Sequence, residues 1–301
     1  MTIWLLHLSS KDTETYIRRK EAEVHMKTRI ITALILVPLL VALLVLAGSE
    51  VIAVAIAIVS VMGLAEFYKA VGVQKSKLLC VFGCIAGAAI PLIPMLFRYF
   101  LTPETAKDVT LLAIFVFMLA MFAVMLICHK KVSVADVGLV IFSLIYIPCF
   151  LTNILYIREM ELGKFLIWLV FIGAFLTDSC AYFVGVFLGK HKLCPEISPK
   201  KTIEGAVGGV LGCMIFYVLY GLLMKHAFEV DVNFFRLGIL GLIAAVISEM
   251  GDLVASIIKR HYGIKDYGTL FPGHGGILDR CDSVILVSPV IYIYLSIVGI
   301  F

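Results

Sequence analysis

The sequence predicts an all-α, polytopic integral membrane protein, and three observations support this prediction. Hydrophobic residues make up 62% of the 301-residue chain and charged residues 15%, whereas a soluble domain is about 45–50% apolar. The mean hydropathy is +1.07. Apolar windows long enough to cross a bilayer recur along most of the chain, and lipid offers no partner to free backbone groups, which favours helices.

Short polar connections separate nine apolar segments, and each segment is a predicted transmembrane helix. The predicted spans are 30–48, 51–69, 78–97, 109–128, 133–157, 165–188, 204–225, 235–258 and 284–301. We divide them into N-terminal transmembrane helices, residues 26–160, and a C-terminal transmembrane region, residues 161–301. The loops of the second region are predicted at 189–203 and 259–283.

The polar residues 1–25 form an N-terminal extension that differs from the rest of the chain. The basic flank that begins at Met26 is typical of a bacterial start before an uncleaved first span, so we expect the extension to be dispensable or Met26 to be the initiator. In the N-terminal half, Glu66 and Asp136 lie near predicted interfaces, which favours snorkelling over a role in function.

The distribution of Lys and Arg predicts the orientation. Counted over alternate connections, 19 of the 25 basic residues lie on the side of the N-terminus. The positive-inside rule then places the N-terminus in the cytoplasm, and nine crossings place Phe301 outside. We therefore expect a multi-pass protein of the inner (plasma) membrane with its active site facing the cytoplasm.

Acidic residues inside the later spans indicate a site, because a carboxylate at the bilayer centre costs about 2.5–3.5 kcal/mol on insertion scales. Asp178 lies in the middle of span 6. In span 8, Glu249 and Asp252 are three residues apart and Ser256 is four beyond, so all three project from a similar side of one helix. A role in function, or in direct support of a site, is the favoured interpretation.

A basic connection precedes span 7. It contains Ser198, Lys200, Lys201 and Thr202 directly before the apolar run. A Ser or Thr at this place caps a helix, and the free N–H groups of a helix start favour an anion. A phosphate site is plausible, and two lysines that only anchor a cytoplasmic loop explain the pattern equally well.

The stretch "KDYGTLFPGHGGILDRCDS", residues 265–283, is polar and precedes the last span. Asp279 and Asp282 repeat the three-residue spacing, and carboxylates of this kind suit a hard cation such as Mg²⁺, which also bridges to substrate phosphates. Zinc is disfavoured, because His274 has no second His or Cys at ligand spacing and Cys281 alone does not supply one. Phosphates, basic residues and a carboxylate-held metal are the usual parts of nucleotidyl or phosphoryl transfer.

The segment "SIIKRHYGIKDYGTLFPGHGGILDRCDS", residues 256–283, resembles the signature of the phosphatidate cytidylyltransferases, also called CDP-diglyceride synthases. That signature reads S-x-x-K-R-x4-K-D-x-G-x2-hydrophobic-P-G-H-G-G-hydrophobic-x-D-R-x-D. The upstream blocks "TDSCAYFVG", "GKHKLCPEISPKKTIEG" and "SEMGDLVASIIKR" resemble the same family, so the likeness covers roughly residues 170–283. The first 130 residues match only in being apolar.

The resemblance implies a reaction of CTP with phosphatidic acid that gives CDP-diacylglycerol and pyrophosphate in phospholipid biosynthesis. It implies Mg²⁺ as cofactor, with a monovalent cation left open, and a homodimer in the membrane without a nucleic-acid partner. The implied catalytic residues are Asp252, Asp279, Asp282, Lys259 and Arg280, and the three Asp would hold the metal. The implied substrate and phosphate contacts are Ser198, Lys200, Lys201, Thr202, Lys259, Arg260, Lys265, His274, Gly275 and Gly276. Asp178, Glu249 and Ser256 would support the site as ligands or as neighbours of ligands.

Two other functions share parts of this pattern. A CTP-dependent lipid kinase of the polyprenol or phytol type would need a similar metal and basic loop, but the full signature argues against it. A secondary transporter would place charges near the midplane of both halves, related by an internal repeat. Here the polar residues crowd into the last four spans, which disfavours transport.

Overall fold

The computed structural model of the protein describes residue 34 and residues 36–100, 102–270 and 275–301. Within these ranges, eight positions between 98 and 111 are described without their side chains: 98, 99, 103, 104, 106, 107, 110 and 111. The N-terminal extension, Met26 and His274 of the sequence predictions lie outside the described residues.

Helices account for 81% of the described chain, which confirms the all-α class. Their bounds are Leu36–Leu46 (α1), Ser49–Val71 (α2), Lys77–Phe100 (α3), Pro103–Ile127 (α4), Val134–Leu144 (α5), Phe150–Glu159 (α6), Gly163–Phe171 (α7), Thr177–Leu188 (α8), Ile203–Phe228 (α9), Phe234–His261 (α10) and Leu278–Ile297 (α11). Seven helical segments of the described ranges are long and apolar enough to cross a membrane, and Leu36–Leu46 and Leu112–Ile127 are shorter apolar helices. The count of nine spans and the orientation stay predictions.

Two of the long helices contain a π-helical turn. α5 continues through Ile145–Cys149 into α6, and Pro148 within that turn has no backbone N–H to donate. α7 continues through Ile172–Leu176 into α8. This second turn ends directly before Thr177 and Asp178, and π-turns of this kind are frequent at functional sites.

A short hairpin connects α8 to α9, which the all-α prediction did not include. Its strands are Lys192–Cys194 (β1) and Ser198–Thr202 (β2), which pair antiparallel. Thr202 ends β2 and caps α9, because its Oγ1 accepts a hydrogen bond from the Gly205 backbone N–H at 3.1 Å. The Glu204 carboxylate accepts hydrogen bonds from the backbone N–H groups of Lys190 and His191, so the hairpin is fixed to the start of α9.

The C-terminal helices pack in chain order, α8 on α9, α9 on α10 and α10 on α11, and α11 also contacts α6 and α2. Glycines allow the closest approach. A Cβ on Gly205 would lie 2.7 Å from the Ala181 carbonyl oxygen, and one on Gly209 would lie 3.1 Å from the Thr177 carbonyl oxygen. Close helix packing therefore explains these two glycines.

The helix ends at the last connection differ from the predicted spans. α10 continues to His261, and α11 begins at Leu278 rather than at 284. Lys259 therefore lies in the last turn of α10, and Asp279 and Asp282 lie in the first turns of α11 instead of in a loop. Hydropathy reports the apolar length of a segment, whereas a helix extends into polar sequence wherever its end groups find partners.

Candidate active site

Four carboxylates from three helices lie close together, and a lysine of the hairpin binds two of them. We call them the acidic cluster: Asp178 on α8, Glu249 and Asp252 on α10, and Asp282 on α11. Lys201 Nζ lies 2.5 Å from Glu249 Oε2 and 2.9 Å from Asp252 Oδ2. Asp178 lies within electrostatic range of the three other carboxylates and of Lys201. The structure therefore brings together residues that are up to 104 positions apart in the sequence, Asp178 and Asp282.

Lys201 keeps its charge in this surrounding. Burial acts to lower the pKa of its ammonium group, but the carboxylates of Asp252 and Glu249 outweigh burial, and the net pKa is raised. Its side chain is 18% exposed, and that of Asp252 is 30% exposed. A permanent positive charge thus lies at a place that solvent, and a phosphate, can reach.

The close packing of α10 on α11 sets the distance between Asp252 and Asp282. A Cβ on Gly251 would lie 2.8 Å from the Asp282 carbonyl oxygen and 3.1 Å from Ser283 Cα, so the two backbones approach closely there. The Ser283 hydroxyl is 3.2 Å from Asp178 Oδ2 and 3.3 Å from the Ser248 carbonyl oxygen. Ser283 therefore connects α11 to both α8 and α10 inside the cluster.

A second ion pair lies one turn away along α11. Lys259 Nζ donates to Asp279 Oδ1 at 2.9 Å, and the two side chains are only 10% and 2% exposed. Asp279 Oδ2 accepts two backbone hydrogen bonds, from Tyr267 N at 2.8 Å and from Gly276 N at 3.0 Å. Both oxygens of Asp279 are thus engaged in holding the connection between α10 and α11, which we call the α10–α11 loop (residues 262–277).

The aromatic ring of Tyr267 lies next to the Lys259–Asp279 ion pair. Lys259 Nζ lies 5.4 Å from the centre of its ring, a distance at which a cation is attracted to the aromatic face. Its hydroxyl donates to the Ala255 carbonyl oxygen at 3.3 Å, and burial raises the pKa of that hydroxyl well above its ordinary value. Gly275 has φ +84°, a backbone conformation that favours glycine, and this turn presents the Gly276 N–H to Asp279.

The other predicted site residues that the structure describes lie on the hairpin, in the last turns of α10, in the α10–α11 loop and in the first turn of α11. Ser256 is buried, and Ser198 is half-buried on the hairpin. Arg260 donates to the Ile264 carbonyl oxygen at 3.0 Å. Four basic side chains are exposed: Lys200, Arg260, Lys265 and Arg280.

Four residues near the site escaped the sequence analysis. Ser283 and Tyr267 lie inside the quoted segment 256–283, and their place in it is the signal that the sequence offers for them. Glu66 gave no local signal, because the backbone groups that it contacts are more than 200 positions away. The snorkelling interpretation of Glu66 was wrong. Tyr146 has a buried hydroxyl with no hydrogen-bond partner in the described part of the chain, and it lies within electrostatic range of Asp252 and Asp282.

Together these features define a class of protein. Helices of a membrane bundle converge at one end, where buried carboxylates and lysines meet exposed basic residues. Carboxylates for a cation and lysines for phosphates are the donors that a phosphate-transferring enzyme uses.

Comparison with known proteins identifies the family. The model of the cytidylyltransferase family matches residues 27–298, so the chain belongs to that family. A Bacillus subtilis (strain 168) protein named phosphatidate cytidylyltransferase is 33% identical over 280 residues, which is 91% of this chain and 98% of that protein. A protein of the same name from Staphylococcus haemolyticus is 30% identical over 274 residues, 90% of this chain and 99% of its own length. One from Thermotoga maritima is 40% identical over 156 residues, 52% of this chain and 57% of its own. The resemblance found in the signature is confirmed.

Proposed function

We propose that the protein is a phosphatidate cytidylyltransferase, which transfers CMP from CTP to phosphatidic acid and releases pyrophosphate. The observation that carries the proposal is the ion pairing of Lys201 with Glu249 and Asp252, within electrostatic range of Asp178, in a chain that matches the cytidylyltransferase family over most of its length. Relatives named for this activity align over 90% and 91% of the chain.

The reaction needs no general base. A phosphate monoester has a second pKa of about 6, so a phosphatidate oxygen is already anionic near neutral pH. That oxygen attacks the α-phosphorus of CTP, a new P–O bond forms, and the bond from the α-phosphorus to the bridging oxygen breaks. Pyrophosphate leaves with the electron pair.

The residues present fit a magnesium ion. Asp252 has one oxygen, Oδ2, bound to Lys201, and Asp282 Oδ1 accepts only from the backbone N–H of Ser283 among the hydrogen bonds of the described residues. No three His, Cys, Asp or Glu side chains of the described ranges form a complete metal site. Mg²⁺ suits such a place, because it is commonly held by one or two carboxylates and takes its other ligands from water and phosphates. Asp252 and Asp282 would hold it, and it would neutralise charge on the phosphates. Asp279 stays a predicted third ligand.

The protein's own cations would act on the phosphates. Lys201 is positioned to contact a phosphate that enters the acidic cluster, since its side chain is partly exposed. Lys259 lies within electrostatic range of Asp282 and would add positive charge from the other side. The exposed Lys200, Arg260, Lys265 and Arg280 would attract the anionic nucleotide to this end of the helices.

The setting of the reaction is also part of the proposal. We infer an inner-membrane enzyme with the hairpin and the α10–α11 loop in the cytoplasm, which the distribution of basic residues supports. CTP would enter from the cytosol and phosphatidic acid from the bilayer. The homodimer and an additional monovalent cation stay predictions.

The test uses the full-length protein purified in detergent, with phosphatidic acid, Mg²⁺ and each of the four nucleoside triphosphates. We expect pyrophosphate release and CDP-diacylglycerol formation with CTP, and strong dependence on Mg²⁺. Release of CDP together with a phosphorylated lipid alcohol would instead indicate a lipid kinase. No product with any nucleotide would overturn the proposed function.

A further inference from the structure

Glu66 lies on α2, yet its carboxylate reaches the start of α11. Its Oε1 accepts a hydrogen bond from the Ile277 backbone N–H at 3.0 Å, and its Oε2 accepts one from the Leu278 N–H at 3.0 Å. The first N–H groups of a helix have no partner within the helix, and a negative charge is favourable there. Glu66 therefore caps α11 from a different helix.

Two glycines that flank this carboxylate lie against it. A Cβ at Gly268 or at Gly276 would overlap the carboxylate of Glu66, so neither position accepts a side chain while Glu66 keeps this conformation. The neighbouring ring of Phe67 packs against Tyr267, with ring centres 6.5 Å apart. The end of α2 thus contacts the loop at several points.

Glu66 and Asp279 divide consecutive backbone amides between them. Asp279 accepts from Gly276 N, and Glu66 accepts from the next two, Ile277 N and Leu278 N. These amides lie directly before Asp279 in the chain, and Asp282 follows one turn later. The direction in which α11 begins, and hence the place of both aspartates, depends on this pair of carboxylates.

We propose that Glu66 is a positioning residue for the nucleotidyl transfer. It fixes the first turn of α11, so that Asp282 stays beside Asp252 and Asp279 stays paired with Lys259. This role rests on the proposed function, and it is exerted through α11 rather than through contact with substrate. The N-terminal half of the chain would thus contribute to the reaction indirectly, by positioning residues of α11.

The variant that tests this role is Glu66→Gln. The amide has the same size, but its NH₂ group would face a backbone N–H that needs an acceptor. We expect kcat to fall 10- to 100-fold, with the KM for CTP changed less than about threefold, because a displacement of about 1 Å can cost 10²-fold in rate. Glu66→Asp keeps the charge on a shorter side chain and should recover at least about fivefold of that loss.

The matched control is Glu161→Gln, the same substitution at an exposed residue of the turn before α7. It should leave kcat within twofold of the wild-type value. Thermal unfolding of each variant gives the folded fraction at the assay temperature, and all rates are expressed per folded molecule.

Hydrogen exchange in the full-length protein separates positioning from a general loss of stability. In Glu66→Gln, the amides of Ile277 and Leu278 should exchange faster, while those of α9 exchange as in the wild type. A kcat per folded molecule within twofold of the wild type would overturn the proposal, and so would unchanged exchange at these two amides. If Glu66→Gln does not fold, Glu66→Asp carries the same test. If neither folds, the role of Glu66 is purely structural and the proposal fails.

The two proposals fail in different ways. A wild-type protein that releases no pyrophosphate would overturn the proposed function, whatever the variants do. An active wild type with an equally active Glu66→Gln variant would overturn only the role of Glu66.

Discussion

Two lysine–aspartate pairs lie side by side at one end of the helices, and they differ in what surrounds them. Lys201 Nζ is 2.9 Å from Asp252, and Lys259 Nζ is 2.9 Å from Asp279. The Asp252 side chain is 30% exposed and belongs to a group of four carboxylates. The Asp279 side chain is 2% exposed, and each of its oxygens accepts at least one hydrogen bond from the protein.

The difference favours two separate roles for the same residue types. The Lys201–Asp252 pair is open to a ligand, because its carboxylates outnumber its lysine and part of its surface is accessible. The Lys259–Asp279 pair holds the α10–α11 loop in place, since breaking it would leave buried charge and backbone N–H groups without partners. We expect the reaction to take place at the Lys201–Asp252 pair. The Lys259–Asp279 pair is expected to stabilise the structure around it.

The largest effect is expected from neutralising the open carboxylates. Asp252→Asn and Asp282→Asn should each lower kcat about 10³-fold, because charge stabilisation of several kcal/mol is lost and each 1.36 kcal/mol is tenfold in rate. Pyrophosphate release, measured over a range of Mg²⁺ concentrations, checks this. Asp231→Asn, at a 96% exposed side chain, is the control. A folded variant that keeps full Mg²⁺-dependent activity would remove that aspartate from the metal site.

Lys201→Met tests the positive charge of the open pair. We expect kcat/KM for CTP to fall about 10²-fold, together with a loss of about 1–3 kcal/mol in stability from the unpaired Glu249 and Asp252. Adding Glu249→Gln should restore stability without restoring activity. Lys200→Met, on an exposed neighbour, should cost no more than about fivefold. Equal losses for the two lysines would contradict the assignment.

Asp279→Asn sharpens the comparison most directly. It removes the charge that pairs with Lys259, so the free energy of unfolding should fall by about 3 kcal/mol. Losses of about 3–5 kcal/mol are typical when a buried ion pair loses one partner. The Mg²⁺ concentration for half-maximal rate should change less than threefold, whereas Asp282→Asn should raise it more than tenfold. If both variants raise it equally, Asp279 is a metal ligand as the sequence predicts.

The smallest effect is expected at Ser283, which connects α11 to Asp178 and to Ser248. Ser283→Ala removes two long hydrogen bonds, and we expect a loss of about 0.5–1.5 kcal/mol in stability and a two- to tenfold lower kcat. Ser296→Ala on the same helix, where the hydroxyl bonds only within the helix at 2.8 Å, is the matched control. Indistinguishable rates for the two variants would show that Ser283 has no part in ordering the cluster.

The residues of the acidic cluster were predictable from the sequence. The difference between their surroundings and those of Asp279 was not. The sequence indicates Asp178, Glu249 and Asp252 because a carboxylate in an apolar run is costly and needs a reason. The three-residue spacing in the polar stretch 265–283 indicates Asp282 and, with it, Asp279. The different surroundings of Asp279 come from the backbone N–H groups of Tyr267 and Gly276, which both donate to one of its oxygens, and no local sequence pattern reports these contacts.

Hydropathy and the cost of burying a charge are local properties of the sequence. The amino-acid composition and the order of the residues were therefore sufficient to predict the membrane class and the family signature. They were also sufficient to place the polar residues of the site in the last four predicted spans. The hairpin that carries Lys201 and the early start of α11 arise from hydrogen bonds that satisfy helix ends, and these form only when the helices pack. Glu66 is the clearest case, because its partners are 211 and 212 positions away. A contact over that distance is decided by how α2 lies against α11, which only the tertiary structure contains.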